Sequence, residues 1–153
     1  MGQRTRTGSR WLSLTIVGLV SVVGLGLPSA AVGDGAVLRI TPPHKLTFGK
    51  QPYGSFTTRT VTIANTSERT LIVTVSDQSP DDFSPGQPGS TCLLSYTVNV
   101  LGAGESCTMI IGFQPAPEFG GHETATLSIS AASVNGKVLQ TRVVNIVGTG
   151  VAG

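Results

Sequence analysis

The chain holds little of what catalysis or metal binding usually needs. Of its 153 residues 12% are charged and 5% aromatic, and there are two histidines and two cysteines. His44 and His122 lie in a proline-rich and a polar segment, neither with a matching Asp, Ser or Cys nearby, and both read as exposed loop residues. No phosphate-cradling glycine loop, no His-Glu metal helix and no nucleophile elbow occurs. Two cysteines without clustered histidines cannot supply the four ligands of a structural zinc. Asp77, Asp81 and Asp82 form the only acidic cluster, short of the roughly six to eight oxygens that calcium takes, so it reads as a solvated loop. The expectation is a protein with no catalytic residue, no metal and no cofactor.

The single tryptophan, Trp11, opens an uncharged apolar run to Leu27 that follows Arg4, Arg6 and Arg10. A cationic start, an apolar stretch and the small residues of Pro28-Ser29-Ala30-Ala31 make an export signal cut after Ala31. The run of seventeen also meets the lower bound of about 17–25 residues for a spanning helix, so a retained anchor is the alternative and the one route to membrane contact. Removing residues 1–31 from 153 leaves 122, enough for one core. Beyond the signal, seven Lys and Arg face eight Asp and Glu, a balance of −1 that gives no reason to expect nucleic acid as a partner. Cys92 and Cys107 both lie in the exported part, where an oxidising compartment favours a disulfide; two buried free thiols are the alternative.

What the rest does contain is period-two alternation. Val61 and Ile63, then Leu71, Val73 and Val75, then Tyr96, Val98 and Val100, then Met109, Ile111 and Phe113, then Leu127 and Ile129, then Val144 and Ile146 each put an apolar face inward beneath a Thr, Ser or Asn face. Turn signals separate them: Asn65-Thr66-Ser67, the stretch Ser79 to Ser90, Gly102-Ala103-Gly104, Pro115 to Gly121 and Asn135-Gly136. Asn135-Gly136 predicts a tight hairpin with positive φ at both central positions. Asn65-Thr66-Ser67 fits the glycosylation pattern, yet its asparagine reads first as a turn residue. No apolar spacing of three and four persists for three turns, so helix is nearly absent. The fold class predicted is all-β, an immunoglobulin-like antiparallel β-sandwich of about seven strands. It divides into a signal at 1–31, a linker and first strand at 32–45, and the sandwich at 46–151. Lacking a tryptophan, it cannot build the antibody core of tryptophan against disulfide.

Leu46-Thr47-Phe48-Gly49, Gln51-Pro52-Tyr53-Gly54-Ser55 and Val61-Thr62-Ile63-Ala64-Asn65-Thr66 resemble the opening of the choice-of-anchor D modules, within the abnormal-spindle and Hydin-like immunoglobulin-like domains. The resemblance continues in order through Asp82-Phe83-Ser84, Gly104-Glu105-Ser106-Cys107-Thr108, Phe113-Gln114-Pro115, Leu127-Ser128-Ile129 and Val144-Asn145-Ile146-Val147-Gly148-Thr149-Gly150. It implies a seven-stranded sandwich and, for the bacterial exported type, a module of cell-surface proteins. The Cys92 to Cys107 spacing is longer than usual for the family, and Pro115 to Gly121 is slightly stretched.

The function that follows is an exported structural or protein-binding module, secreted or at the cell surface, whose partner is another protein or a cell-envelope component. Its recognition surface should be a sheet edge or the Ser79 to Thr91 loop, with Asp81, Asp82, Gln87 and Ser90 as contact residues. Phe83, in the same loop, is assigned to the core because aromatics are scarce. Pro52, Gly54 and Lys137 read as guards of strand edges. The alternatives are a small secreted enzyme or inhibitor acting through the same loop, and a pilus-type chaperone or subunit using strand exchange. The exported protein should begin at Val32, which mass spectrometry of secreted material would show; an intact Met1 in a membrane fraction would make the segment an anchor.

Overall fold

Proline decides how the sandwich starts. The computed structural model describes residues 36–94, 97–119 and 121–153; the export segment and Tyr96 lie outside the described residues. In chain order the strands are β1 (Leu38–Thr41), β2 (Lys45–Pro52), β3 (Thr57–Asn65), β4 (Leu71–Gln78), β5 (Phe83–Pro85), β6 (Asn99–Leu101), β7 (Ser106–Phe113), β8 (His122–Ser133) and β9 (Val138–Val151). One sheet runs β1-β3-β7-β5 and the other β2-β9-β8-β4-β6. Pro42-Pro43 lacks two backbone donors and cannot continue a ladder. The chain therefore leaves the first sheet after β1, which is antiparallel to β3, and resumes as β2 on the second. Its heading is kept, so β2 lies parallel to β9, while every other pair is antiparallel. This split, together with the three-residue strands β5 and β6, gives nine strands where sequence periodicity predicts about seven. The sole helical turn among the described residues is a 3₁₀ turn at Pro117–Phe119.

The alternation sets the core. Val61, Ile63, Leu71, Val73, Val75, Met109, Ile111, Phe113, Leu127, Ile129, Val144 and Ile146 are all buried between the sheets. At β6 the structure corrects the expected face: Val98 and Val100 point to solvent, and Asn99 and Leu101 point in. Asn99 is the physical reason. Its amide nitrogen donates to the carbonyls of Val73 (3.2 Å) and Leu93 (3.0 Å), and its side-chain oxygen accepts from the Leu93 N–H (2.7 Å). These bonds tie the incoming chain to β4, and valine in either neighbouring position could not supply them.

Asn65 does the same at the far end of β6. Its buried amide nitrogen donates to the carbonyls of Arg69, Leu101 and Gly102, and its oxygen accepts from the N–H and Oγ of Ser67. It serves as a turn residue, with no amide free for a glycan. Phe83 joins Phe48 and Phe113 in an aromatic cluster, its ring stacked on Phe113 at 4.7 Å. Gly148 makes room for that cluster, since a Cβ there would meet the Phe113 ring at 2.4 Å.

The β8–β9 hairpin departs from the two-residue turn. The N–H of Gly136 donates to the Ser133 carbonyl (2.8 Å) and the N–H of Ser133 to the Lys137 carbonyl (2.9 Å), a three-residue loop closed by Gly136 at φ 80°. Lys137 thus sits in the β8–β9 turn, next to the first residue of β9, whereas Pro52 ends β2 at the rim of its sheet.

Cys92 and Cys107 are bonded, joining the segment before β6 to β7 with a Cα separation of 5.1 Å. Closing a loop of that length should contribute about 3 kcal/mol, chiefly by restricting the unfolded chain. Reduction, or replacing both cysteines with serine, is expected to lower the melting temperature by roughly 10 °C; an unchanged melting curve would contradict that account.

Candidate interaction surface

The loop expected to recognise a partner is occupied with the protein's own sheet. Strand β5 covers β7 only over Phe83–Pro85, and the chain beyond it continues the coverage with loop and side-chain groups. The N–H of Gln87 donates to the Ile110 carbonyl (3.0 Å), and the N–H of Ile110 donates to Ser90 Oγ (2.8 Å). The N–H groups of Thr91 and Cys92 both reach the Thr108 carbonyl, and the N–H of Thr108 donates to Thr91 Oγ1 (2.8 Å). Gln87 Nε2 turns inward to Ser84. Gln87 and Ser90 therefore act first as an edge cover for β7, a role that periodicity could not reveal because it depends on which strand lies alongside.

Asp81 and Asp82 separate in the same way. Asp81 is exposed, but Asp82 is 5% exposed, with Oδ2 accepting from the Ala116 N–H (3.4 Å) and its carbonyl accepting from the Gln114 N–H (2.9 Å). Where Asp81 stands in solvent, the Asp82 carboxylate is thus turned toward the Pro115 segment. Its burial follows from Phe83: a ring drawn into the core takes the preceding residue with it. His44 and His122 are exposed as expected, His122 within β8, where Nδ1 lies 3.4 Å from Thr149 Oγ1. Among the described residues no three of His, Cys, Asp and Glu come together, and no helix is long and apolar enough to cross a membrane.

The open surface is at β9. This strand is fourteen residues long, but β2 pairs with it only from Asn145 to Val151. Its first half, Val138–Val144, has β8 on one side and, among the described residues, no strand on the other. The N–H of Asn145 points away from β8, donating to the His44 carbonyl (2.9 Å). Alternation along the strand then points the N–H and C=O of Thr141 and Val143 the same way, away from β8. Thr141 Oγ1 lies 2.9 Å from Ser130 Oγ, the close side-chain approach of a pair that exchanges no backbone bonds, which agrees.

Exposed apolar side chains flank this edge. Val138 and Val143 stand on the outer face, with Val134 at the turn above them. Behind the edge a cleft of about 420 Å³ opens toward β1, with Leu38, Ile40 and Pro43 as its apolar part and Arg39, His44 and Arg142 as its polar part. Gln140, in β9, accepts the Leu38 N–H on Oε1 (2.9 Å) and so links β9 to β1. Sequence reasoning named a sheet edge as the second possible contact but could not say which; the needed signal, where β2 joins β9, is a tertiary register.

A two-sheet, mostly antiparallel sandwich whose chain crosses from one sheet to the other after its first strand is an immunoglobulin-like, PapD-like architecture. The chain belongs to the ASH family, described as "Abnormal spindle-like microcephaly-assoc'd, ASPM-SPD-2-Hydin", which matches residues 34–135. The ASH / PapD-like domain of human CEP192 (PapD-like domain 7) is similar in structure, with a TM-score of 0.62 at 11% identity over 93% of this chain and 99% of that one. The E. coli chaperone DraB is similar at 0.51 and 12%, over 75% of this chain and 56% of that one. The Vibrio cholerae VesB protease is similar at 0.54 and 20%, over 74% of this chain and 32% of that one. At such identities the likenesses show the fold alone, and the chain spans about half of the chaperone and a third of the protease. No curated protein sequence matches.

Asp82→Ala should destabilise the fold by about 1–3 kcal/mol, because the N–H of Ala116 loses its acceptor at a packed site, while Asp81→Ala should stay within about 0.5 kcal/mol of the parent. Urea denaturation of the two variants would check the contrast; equal stabilities would mean that Asp82 anchors nothing.

Proposed function

We propose that this chain is an exported protein-binding module of the cell exterior, of the choice-of-anchor D type, that takes an extended segment of its partner along the open edge of β9. The observation that carries the reading is the unpaired backbone at Thr141 and Val143, beside exposed valines. Main-chain hydrogen bonds to an added strand would supply affinity there, and side-chain pockets on either face would supply selectivity. Natural sandwiches protect their edges, and this one covers β7 with a loop and ends β2 with Pro52, yet among the described residues no strand lies beside seven residues of β9. Support for an exterior location comes from the charged and apolar order of residues 1–31 and from the bonded Cys92 and Cys107.

Strand exchange of the pilus-chaperone kind is a second reading favoured by the same edge and by the structural likeness to DraB. The two differ in what happens to β9: a binding module keeps it in its sheet, whereas an exchanging subunit surrenders or replaces a strand.

Hydrogen exchange followed by NMR separates these outcomes. In the free protein the amides of Thr141 and Val143 should exchange faster than those of Arg142 and Val144, which face β8, and partner binding should protect them selectively. Thr141→Pro, which removes an amide with no strand partner, should leave melting nearly unchanged and reduce partner capture at least tenfold. Protection at Asp81 with none at β9 would return recognition to the loop.

A further inference from the structure

The outer face of the β2-β9-β8-β4-β6 sheet carries hydroxyls over much of its length and hydrocarbon at one end. The strand registers place Val100 of β6 opposite Ile72 of β4, Ile72 opposite Ala132 of β8, and Ala132 opposite Val138 of β9. All four side chains point away from the core, since Leu71, Val73, Leu101 and Ala131 beside them are the buried ones. They form one apolar row across four strands, half-buried at Ile72 and Ala132 and 62% exposed at both ends, Val100 and Val138. Val98 ahead of β6 and Val134 in the β8–β9 turn extend it with further exposed hydrocarbon. In the next row Thr74, Ser130 and Thr141 are neighbours, and the Ser130 and Thr141 hydroxyls lie 2.9 Å apart, bonded to each other. No charged side chain stands in either row.

The order of sizes along the row identifies what covers it. A two-fold axis parallel to the strands and passing between β4 and β8 turns Val-Ile-Ala-Val into Val-Ala-Ile-Val. Each bulky Ile72 then meets the small Ala132 of the other copy, and each Val100 meets Val138. A row that interdigitates with its own reverse, with no charge to repel its image, has the self-complementarity of an isologous interface. The row with its two flanking valines exposes on the order of 500 Å², the size at which the largest patch of a soluble monomer is commonly functional. Two copies together reach about 1,000 Å², the lower bound for a specific interface, before the hydroxyl row is counted. We propose that this face binds a second copy of the chain, the two sheets packing face to face about 10 Å apart through the Val100–Val138 row. Covering Ser130 and Thr141 costs little, because their hydroxyls already satisfy one another. The inference goes beyond strand addition: it uses the face of the sheet, while the N–H and C=O of Thr141 and Val143 lie in its plane.

Sedimentation velocity of the exported protein at rising concentration should show a monomer–dimer equilibrium. Val100→Lys and Val138→Glu each set a charge against a valine of the other copy and should weaken dimerisation at least tenfold. Mixed in equal amounts, the two variants should pair with each other more tightly than either pairs with itself, because the two-fold brings the introduced lysine against the introduced glutamate. Both positions are exposed in the single copy, so melting curves of the dilute variants should match that of the parent. A parent that stays monomeric at every concentration would overturn the inference, as would a dimer that neither substitution weakens. Loss of the dimer in both variants without recovery on mixing would overturn the two-fold register. A dimer lost in Thr141→Pro but kept in both valine variants would place the contact along the β9 edge, overturning the face and leaving strand addition standing. A dimer kept in Thr141→Pro and lost in both valine variants would support the face, whatever becomes of strand addition.

Discussion

The loss of two backbone donors at Pro42-Pro43 shapes the molecule more than any single contact in its core. Because β1 is held against β3 as far as Thr41, and the prolines cannot extend that ladder, the chain reaches the second sheet only at Lys45, opposite Asn145. Among the described residues, the edge of β9 has a strand beside it from that point onward and none before it. A first strand that paired with one sheet throughout would either close the whole β9 edge or leave the whole of it open. The split leaves a half-length edge of defined register, with the cleft between β1 and β9 directly behind it.

Buried amides take the place that a larger core would fill. The sandwich holds few aromatics, and three of them, Phe48, Phe83 and Phe113, stack in one cluster that needs Gly148 for room. Toward the β6 end the packing is completed by Asn65 and Asn99, whose side chains bond several backbone groups that no strand reaches. Each is nearly fully buried and fully partnered, which is the condition under which a polar group in a core specifies one arrangement. The Cys92–Cys107 bond fastens the same region, where β6 contributes only three residues.

The two edges of the molecule that could attract a strand are managed differently. At β7 the 86–92 segment supplies carbonyls, amides and hydroxyls until few groups remain free, so the residues that looked like an adaptable recognition loop are part of the sheet's own closure. At β9 no strand among the described residues covers Val138–Val144. Polar side chains in a loop and unpaired main-chain groups in a strand are alike in sequence; they are opposites in availability.

By itself the sequence determined the all-β class, five of its six alternating runs and the core place of Phe83, because period-two burial is a local property that each strand carries in its own residues. It also brought Cys92 and Cys107 into view as a pair. Only the tertiary structure decided which way β6 faces, since Asn99 outweighs Val98 and Val100 through bonds to Val73 and Leu93, the first of them in another strand. The same holds for the burial of Asp82, the occupation of Gln87 and Ser90 by β7, and the open half of β9. Each depends on which strand stops beside which, and strand neighbours and registers are set by contacts between residues far apart in the chain, for which a single sequence holds no periodic signal.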